Sequence, residues 1–276
     1  MSYALSAILV LFLSIVGLLI LRQQDARSED AAWQTLTTLA GKARGVFAPG
    51  MVADLPEPAR RYFQFCIAPG TPLTAAAEIE MRGELGLGSK EKPGYKPMVA
   101  RQILAPPFGF VWRVHVAAIS GSDGATPDAS WTRFRLFGVL TVVRVNGDIN
   151  HRRSAFGRFI AEGVFWTPAA LLPNEYVRWE EIDDNSARVI VSFGEFEQAV
   201  ELSVAEDGAP QRVVMQRWSN ENPQKEFRYQ PFGGVLSDFR QFGGYTLPTT
   251  VDGGNHIGTD EYFPFYKARV NALRPL

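Results

Sequence analysis

The sequence has a single cysteine, Cys66, in 276 residues. No intramolecular disulfide can form, a cysteine-rich zinc site is excluded, and the redox compartment stays undetermined. Cys66 lies in the apolar run Tyr62-Phe63-Gln64-Phe65-Cys66-Ile67, where it reads as a small buried hydrophobe rather than a nucleophile. An excess of one charge is missing as well: 28 basic residues face 29 acidic ones, for a formal net charge of -1. The basic face that nucleic acids require is therefore not expected. Histidine is scarce, at His115, His151 and His256, and no HExxH, HxH or His-plus-Cys spacing occurs. The sequence has neither a Gly-x-Ser-x-Gly elbow nor a phosphate loop. Gly83-Glu84-Leu85-Gly86-Leu87-Gly88 lacks the GxGxxG order and a following helix, and reads as a bulged or bent strand. No cofactor and no metal site are expected, and no catalytic signature is present.

What the sequence does contain begins at its N-terminus. From Tyr3 to Leu21 no residue is charged. About 20 apolar residues in a helix span a hydrocarbon core of about 30 Å, so residues 1–22 are expected to form a transmembrane anchor. No basic segment precedes the run and no small-x-small cleavage site or lipobox cysteine follows it, which favours a retained anchor over a signal peptide. Arg22, Arg27, Lys42 and Arg44 all follow the run. By the positive-inside rule they assign a single-pass protein of the plasma (inner) membrane with its large domain in the cytoplasm, Asp25, Glu29 and Asp30 blunting the bias only slightly. An extracytoplasmic domain is also compatible with such an anchor.

Residues 23–54 read as a helical linker. Ser28-Glu29-Asp30 resembles a helix start, and Trp33, Leu36, Leu39 and Ala40 recur at helical spacing up to Gly41. A second helix opens at Asp54-Leu55-Pro56-Glu57-Pro58 and stops at Ala68-Pro69-Gly70, both helices being expected at the edge of the domain. Beyond Thr71 the period changes to two. Val200, Leu202 and Val204 alternate with Glu201 and Ser203, Glu206-Asp207-Gly208 turns the chain, and Arg212 to Trp218 returns. Further turn signals stand at Asn146-Gly147-Asp148, Asp183-Asp184-Asn185 and Asp252-Gly253-Gly254. Phe110 to Val116 and Trp131 to Val145 also read as strands. One helix, Ser154 to Leu172 with a kink at Pro168, interrupts them and is apolar on more than one face. The expected fold is mainly β (α+β): an antiparallel sheet curved around one helix, in one domain over residues 55–276.

Several segments carry a family resemblance. Leu55-Pro56-Glu57-Pro58-Ala59-Arg60-Arg61-Tyr62-Phe63, Gly109-Phe110-Val111-Trp112, the run Ala161-Glu162-Gly163-Val164-Phe165-Trp166-Thr167-Pro168-Ala169-Ala170-Leu171-Leu172-Pro173, and Val177-Arg178-Trp179-Glu180 resemble the bacterial DUF6544 (DUF6920-like) family. Phe239-Arg240, Gly244-Tyr245-Thr246-Leu247-Pro248-Thr249 and Tyr262-Phe263 continue the match. The resemblance implies a similar N-terminal anchor and transfers no activity. The layout is also similar to the half-barrel of bacterial lipoprotein carriers, a likeness of fold that does not fix function.

Candidate binding residues follow from alternation and context. Trp112, Val114 and Val116 share one strand face and Arg113 and His115 the other, while Arg133 and Arg135 share a face with Trp131 and Phe137. Arginine among aromatics suits the anionic head of an amphiphile. Glu162 sits inside the apolar helix, either as a carboxylate facing a pocket or as an ion-pair partner of Arg158 or Arg178. The ligand-binding set expected on these grounds is Trp112, Arg133, Arg135, Glu162, Trp166 and Arg178. The leading function is a membrane-anchored half-barrel that binds a lipid or other amphiphile. An enzyme using Glu162 and a membrane-tethered interaction scaffold are the alternatives, and protein partners are not specified by the sequence.

Overall fold

The structure, a computed structural model, describes every residue except Met1, Lys42 and Arg44. The apolar run continues without a break into one helix, α1, over Ser2–Ala40. Its 39 residues at about 1.5 Å each make a rod of about 58 Å. The start expected at Ser28-Glu29-Asp30 does not occur. A Ser-Glu-Asp triplet caps a helix only where the preceding chain is non-helical, and here the helix arrives already formed. Ser28 instead donates its hydroxyl to the Asp25 carbonyl at 2.8 Å, one turn back. Gly41 ends the helix in the left-handed region, φ 69°, where its N–H bonds the Thr38 carbonyl. Of the four basic residues counted for the charge bias, Lys42 and Arg44 lie outside the described residues.

A 3-10 turn at Pro49–Val52 leads to α2, Glu57–Cys66. This helix was expected at the edge of the domain, and it lies in the core instead. Its apolar face carries Tyr62, Phe63 and Cys66, all fully buried, and both rings pack on Trp179 at 5.6 and 5.4 Å. Burial pushes the Cys66 thiol well above its ordinary pKa. Native protein is therefore expected to resist a thiol reagent such as dithionitrobenzoate until denaturant is added. Stoichiometric reaction of the native chain would contradict this placement.

Thirteen strands follow. The first six are β1 (Ala77–Gly86), β2 (Tyr95–Ala105), β3 (Gly109–Val116), β4 (Ile119–Ala125), β5 (Ser130–Leu136) and β6 (Leu140–Asn146). Helix α3, Ile149–Trp166, separates them from β7 (Val177–Asp183), β8 (Ser186–Phe193), β9 (Phe196–Val204) and β10 (Pro210–Ser219). The last three are β11 (Arg228–Phe242), β12 (Tyr245–Asn255) and β13 (Phe263–Pro275). All pair antiparallel in one open sheet of order β6-β5-β4-β3-β2-β1-β13-β12-β11-β10-β9-β8-β7. The sheet is the expected half-barrel, and α3 lies in its concavity.

Two turn signals mean something else in three dimensions. Asn146-Gly147-Asp148 joins a strand to a helix, because the Asp148 side chain accepts from the His151 N–H and caps α3, which begins at Ile149, five residues before Ser154. Asp252-Gly253-Gly254 lies inside β12 rather than at its end. A Cβ on Gly254 would stand 1.8 Å from the Phe263 carbonyl oxygen, so glycine there permits close strand approach. The glycine-rich stretch at Gly83 is strand, with a register shift just upstream between Glu80 and Met81.

The two faces of the first half of the sheet carry different chemistry. On the concave face Gln102, Trp112, Asp123 and Thr132 are cross-strand partners, next to α3. On the convex face the partners are Arg101, Arg113, Ser122, Arg133 and Arg144, a row of four arginines across five strands. Like charges at this spacing repel. The C-terminal half of α1 lies over this row. Asp25 accepts two bonds from Arg144, at 2.6 and 2.9 Å, pairs with Arg133 at 3.2 Å, and accepts from Arg135. Asp30 pairs with Arg113 at 2.6 Å, and Glu29 accepts from Ser122 at 2.6 Å. Below them Ala32, Leu36 and Ala40 pack on Ile103, Val111 and Trp131, a second apolar core. The acids that only blunt a charge bias in the sequence are what dock the helix.

Candidate functional site

A cavity of about 530 Å³ lies between α3 and the concave face. Six aromatic side chains, Trp112, Phe165, Phe232, Phe263, Phe265 and Tyr266, border it. Asp123, Thr132, Arg158, Glu162, Arg217, Glu221 and Asn255 supply the polar groups. Burial would lower the pKa of Arg158, but the Glu162 and Asp123 carboxylates outweigh that and hold it above the ordinary arginine value. Its Nε reaches Glu162 at 2.7 Å, its Nη1 reaches Asp123 at 2.6 Å, and its guanidinium lies over Phe110 and Trp112 at 4.6 and 5.1 Å. The second oxygen of Glu162 accepts from Gln102 Nε2 at 2.5 Å. One oxygen of Glu162 is thus ion-paired with Arg158 and the other accepts from the Gln102 amide, while the side chain still borders the cavity.

A hydrogen-bond chain extends this cluster away from the cavity. Thr132 donates to Asp123 at 2.8 Å, His151 Nε2 stands 2.9 Å from the Thr132 hydroxyl, and His151 Nδ1 stands 2.8 Å from Ser130 Oγ. With the threonine proton on Asp123, the consistent assignment has Nε2–H donating to Thr132 and Ser130 donating to Nδ1. Ser130 thus donates a hydrogen bond to the imidazole, but it is buried and does not border the cavity.

Arg217 differs from Arg158. It points inward from β10 beside Val213 and is half-buried, its guanidinium over the Phe232 ring at 4.8 Å. Among the described residues it has no salt bridge, and its Nε has no acceptor. Trp112 Nε1 is likewise buried without an acceptor. Burial above all, and then the charge of Arg158, push the Arg217 pKa down to about 10, with Asp123, Glu162 and Glu221 offsetting part of the effect. Two donors without acceptors therefore border one cavity, free to bond an acceptor-bearing group.

The six residues expected to bind ligand separate into different environments. Trp112 and Glu162 border the cavity. Arg133 and Arg135 lie on the opposite face of the sheet, tied to Asp25 under α1. Trp166 is 1 % exposed, packed on Phe165 at 4.7 Å, and donates to the Pro248 carbonyl at 3.3 Å. Arg178 is on the outer surface, with Glu180 and Glu197 at 3.6 and 3.4 Å. Arg217 was not singled out, although the inward alternation Val213, Met215, Arg217 on one strand places an arginine where apolar residues belong. Among the described residues no three His, Cys, Asp or Glu side chains converge.

Fold and cavity together define a class: an antiparallel half-barrel around a helix and a cavity, behind an N-terminal helix long and apolar enough to cross a membrane. Within it the chain belongs to the family of unknown function DUF6544, whose model matches residues 45–268. A solved domain from Vibrio parahaemolyticus, described as an outer membrane lipoprotein-sorting protein domain, is similar at 12% identity and a TM-score of 0.36. That match covers 72% of this chain and 85% of the Vibrio chain. No curated protein matches the sequence.

Proposed function

We propose that α1 anchors the protein in a bilayer and that the half-barrel holds one amphiphile, its anionic head on Arg217 and Trp112 and its apolar body along the aromatic wall. The observation that carries this reading is Arg217, a cation without a salt bridge among the described residues, in a cavity whose other arginine, Arg158, is already paired with Glu162 and Asp123. The volume of about 530 Å³ falls in the range of about 300–1,000 Å³ usual for small-molecule sites. The anchor reading rests on an apolar helical segment with nothing packed against it. On this reading residues 1–22 are the anchor, the rest of α1 and the chain to residue 54 are a stalk, and residues 55–276 are the carrier domain. The basic residues after the apolar run support the cytoplasmic side.

Native mass spectrometry of the full-length protein, titrated with oleate and separately with the uncharged oleyl alcohol, tests the cavity reading. A single oleate adduct is expected, with the alcohol binding at least roughly tenfold more weakly, as loss of a charge-assisted contact of about 1.5–3 kcal/mol implies. Equal binding of both would remove the role of Arg217. Absence of any adduct, with no lipid extractable from the purified protein, would sink the reading altogether.

A further inference from the structure

The hairpin between β5 and β6 turns through Leu136-Phe137-Gly138-Val139, closed by the Val139 N–H on the Leu136 carbonyl at 3.1 Å. Both central residues are left-handed, with φ 51° at Phe137 and 70° at Gly138. Such a two-residue turn favours asparagine or aspartate before the glycine, and a bulky aromatic residue there is strained. Phe137 gains no packing in return, since it is 79% exposed. The next strand, β6, is an edge of the sheet and continues the apolar surface with Leu140, Val142, Val143 and Val145, all exposed. Residues 136–145 contain no acid, and their only charge is Arg144. The neighbouring turn at Ala117-Ala118 is uncharged too, and its Ala118 carbonyl accepts from the Phe137 N–H at 2.7 Å.

The position of this hairpin along α1 indicates what covers it. Arg22 is the first charged residue after the apolar run, and a Cβ on Gly138 would stand 3.4 Å from its Nη1. From there α1 runs along the sheet away from the turn, with Asp25 at Arg133 and Arg144, Glu29 at Ser122, and Leu36 packed near Trp131. The hairpin tip is therefore level with the end of the apolar helix, where hydrocarbon gives way to head groups.

We propose that the β5–β6 hairpin, led by Phe137, seats in the head-group region of the same bilayer that α1 crosses. This rests on the anchor part of the function proposed above and is independent of the cavity ligand. Exposed apolar side chains at that level leave water for the acyl boundary, and the ion pairs of Asp25 hold the hairpin in place before contact. The end of β1 and the two residues after it, Leu85 to Gly88, wall the cavity at the same strand ends, so seating also turns that wall toward the lipid.

The test uses full-length protein reconstituted in phosphatidylcholine/phosphatidylglycerol vesicles, with and without brominated acyl chains. An environment-sensitive maleimide dye is attached at Phe137→Cys, at Leu140→Cys as a second reporter outside the turn, and at Asp128→Cys in the turn at the opposite strand ends. Cys66 is buried and stays unlabelled. Expected is blue-shifted emission at 137 and 140 that bromolipid quenches and aqueous iodide does not, with the reverse at 128. If the vesicles carry the protein on flotation but 137 and 140 remain open to iodide, the hairpin proposal fails alone. Protection from iodide without quenching by bromolipid would show a second protein strand on the β6 edge, and would overturn it as well. Failure to float with the vesicles would overturn the anchor and the hairpin together.

Discussion

Arg217→Met is expected to raise the melting temperature of the ligand-free protein and to abolish oleate binding. The sign follows from the direction of the pKa. Burial and the charge of Arg158 bring Arg217 down to about 10, below the ordinary 12.5. Folding therefore disfavours the proton, and the charged side chain destabilises the native state throughout the range below about pH 10. That penalty fades only as pH rises through the folded value. Methionine keeps a flexible stem over Phe232 and removes the charge. The gain at neutral pH is on the order of 1–2 kcal/mol after allowance for solvent in the cavity, or about 2–8 °C for a domain of this size. With ligand at about one hundred times its Kd, wild type gains about 2.7 kcal/mol and the variant gains nothing, so their order reverses. Scanning calorimetry with and without oleate checks both halves. A variant that melts lower than wild type without ligand, or that still binds oleate, would show that Arg217 is a structural residue.

Asp25→Asn is expected to undock the stalk. Asp25 is 4% exposed, sealed by guanidiniums more than by apolar atoms. Burial alone would raise its pKa, but the hydrogen bond from Arg144 and the charges of Arg133, Arg144 and Arg135 outweigh burial and hold it below the ordinary 3.8. A carboxylate depressed in this way contributes stability that is complete above 3.8 and is lost as pH falls through the folded value. The docked stalk should therefore survive mild acid. Asparagine leaves three guanidiniums side by side with only the more distant Glu29 to offset Arg133, a loss of about 3–5 kcal/mol on the scale of broken buried pairs. Limited trypsinolysis at Arg22 and Arg27 reads this locally, and the variant should be cut many times faster while the domain beyond β1 stays resistant. Unchanged cleavage would mean that Leu36 and its neighbours dock the helix without the charges.

Much of the fold is legible in residue order because its causes are local. The uncharged stretch from Tyr3 to Leu21 declares a helix for apolar surroundings. Period-two alternation declares β9 and β10, and turn chemistry at Glu206-Asp207-Gly208 joins them. The signals that misled are ones whose meaning depends on what precedes them in space. Ser28-Glu29-Asp30 is a cap only if no helix comes before it, and Gly253-Gly254 is a turn only if no strand crowds it.

The candidate site was less legible, for a different reason. Alternation separates the two faces of a strand but does not say which is concave. Trp112 and Arg133 look equally suited to a ligand on that evidence. Arg133 instead faces Asp25, a partner 108 positions away, and Arg217 is the arginine that enters the cavity.

By itself, the sequence determined the apolar N-terminal helix, the antiparallel strands, the helix that interrupts them and the membership of DUF6544. These depend on composition, short-range periodicity and motif order. Only the tertiary structure decided that α1 is one continuous rod, that its acids neutralise an arginine row on the outer face, and which arginine is left without a salt bridge inside. Each of those depends on pairing between charges far apart in the chain, and pairing across space is what the curvature of the sheet sets.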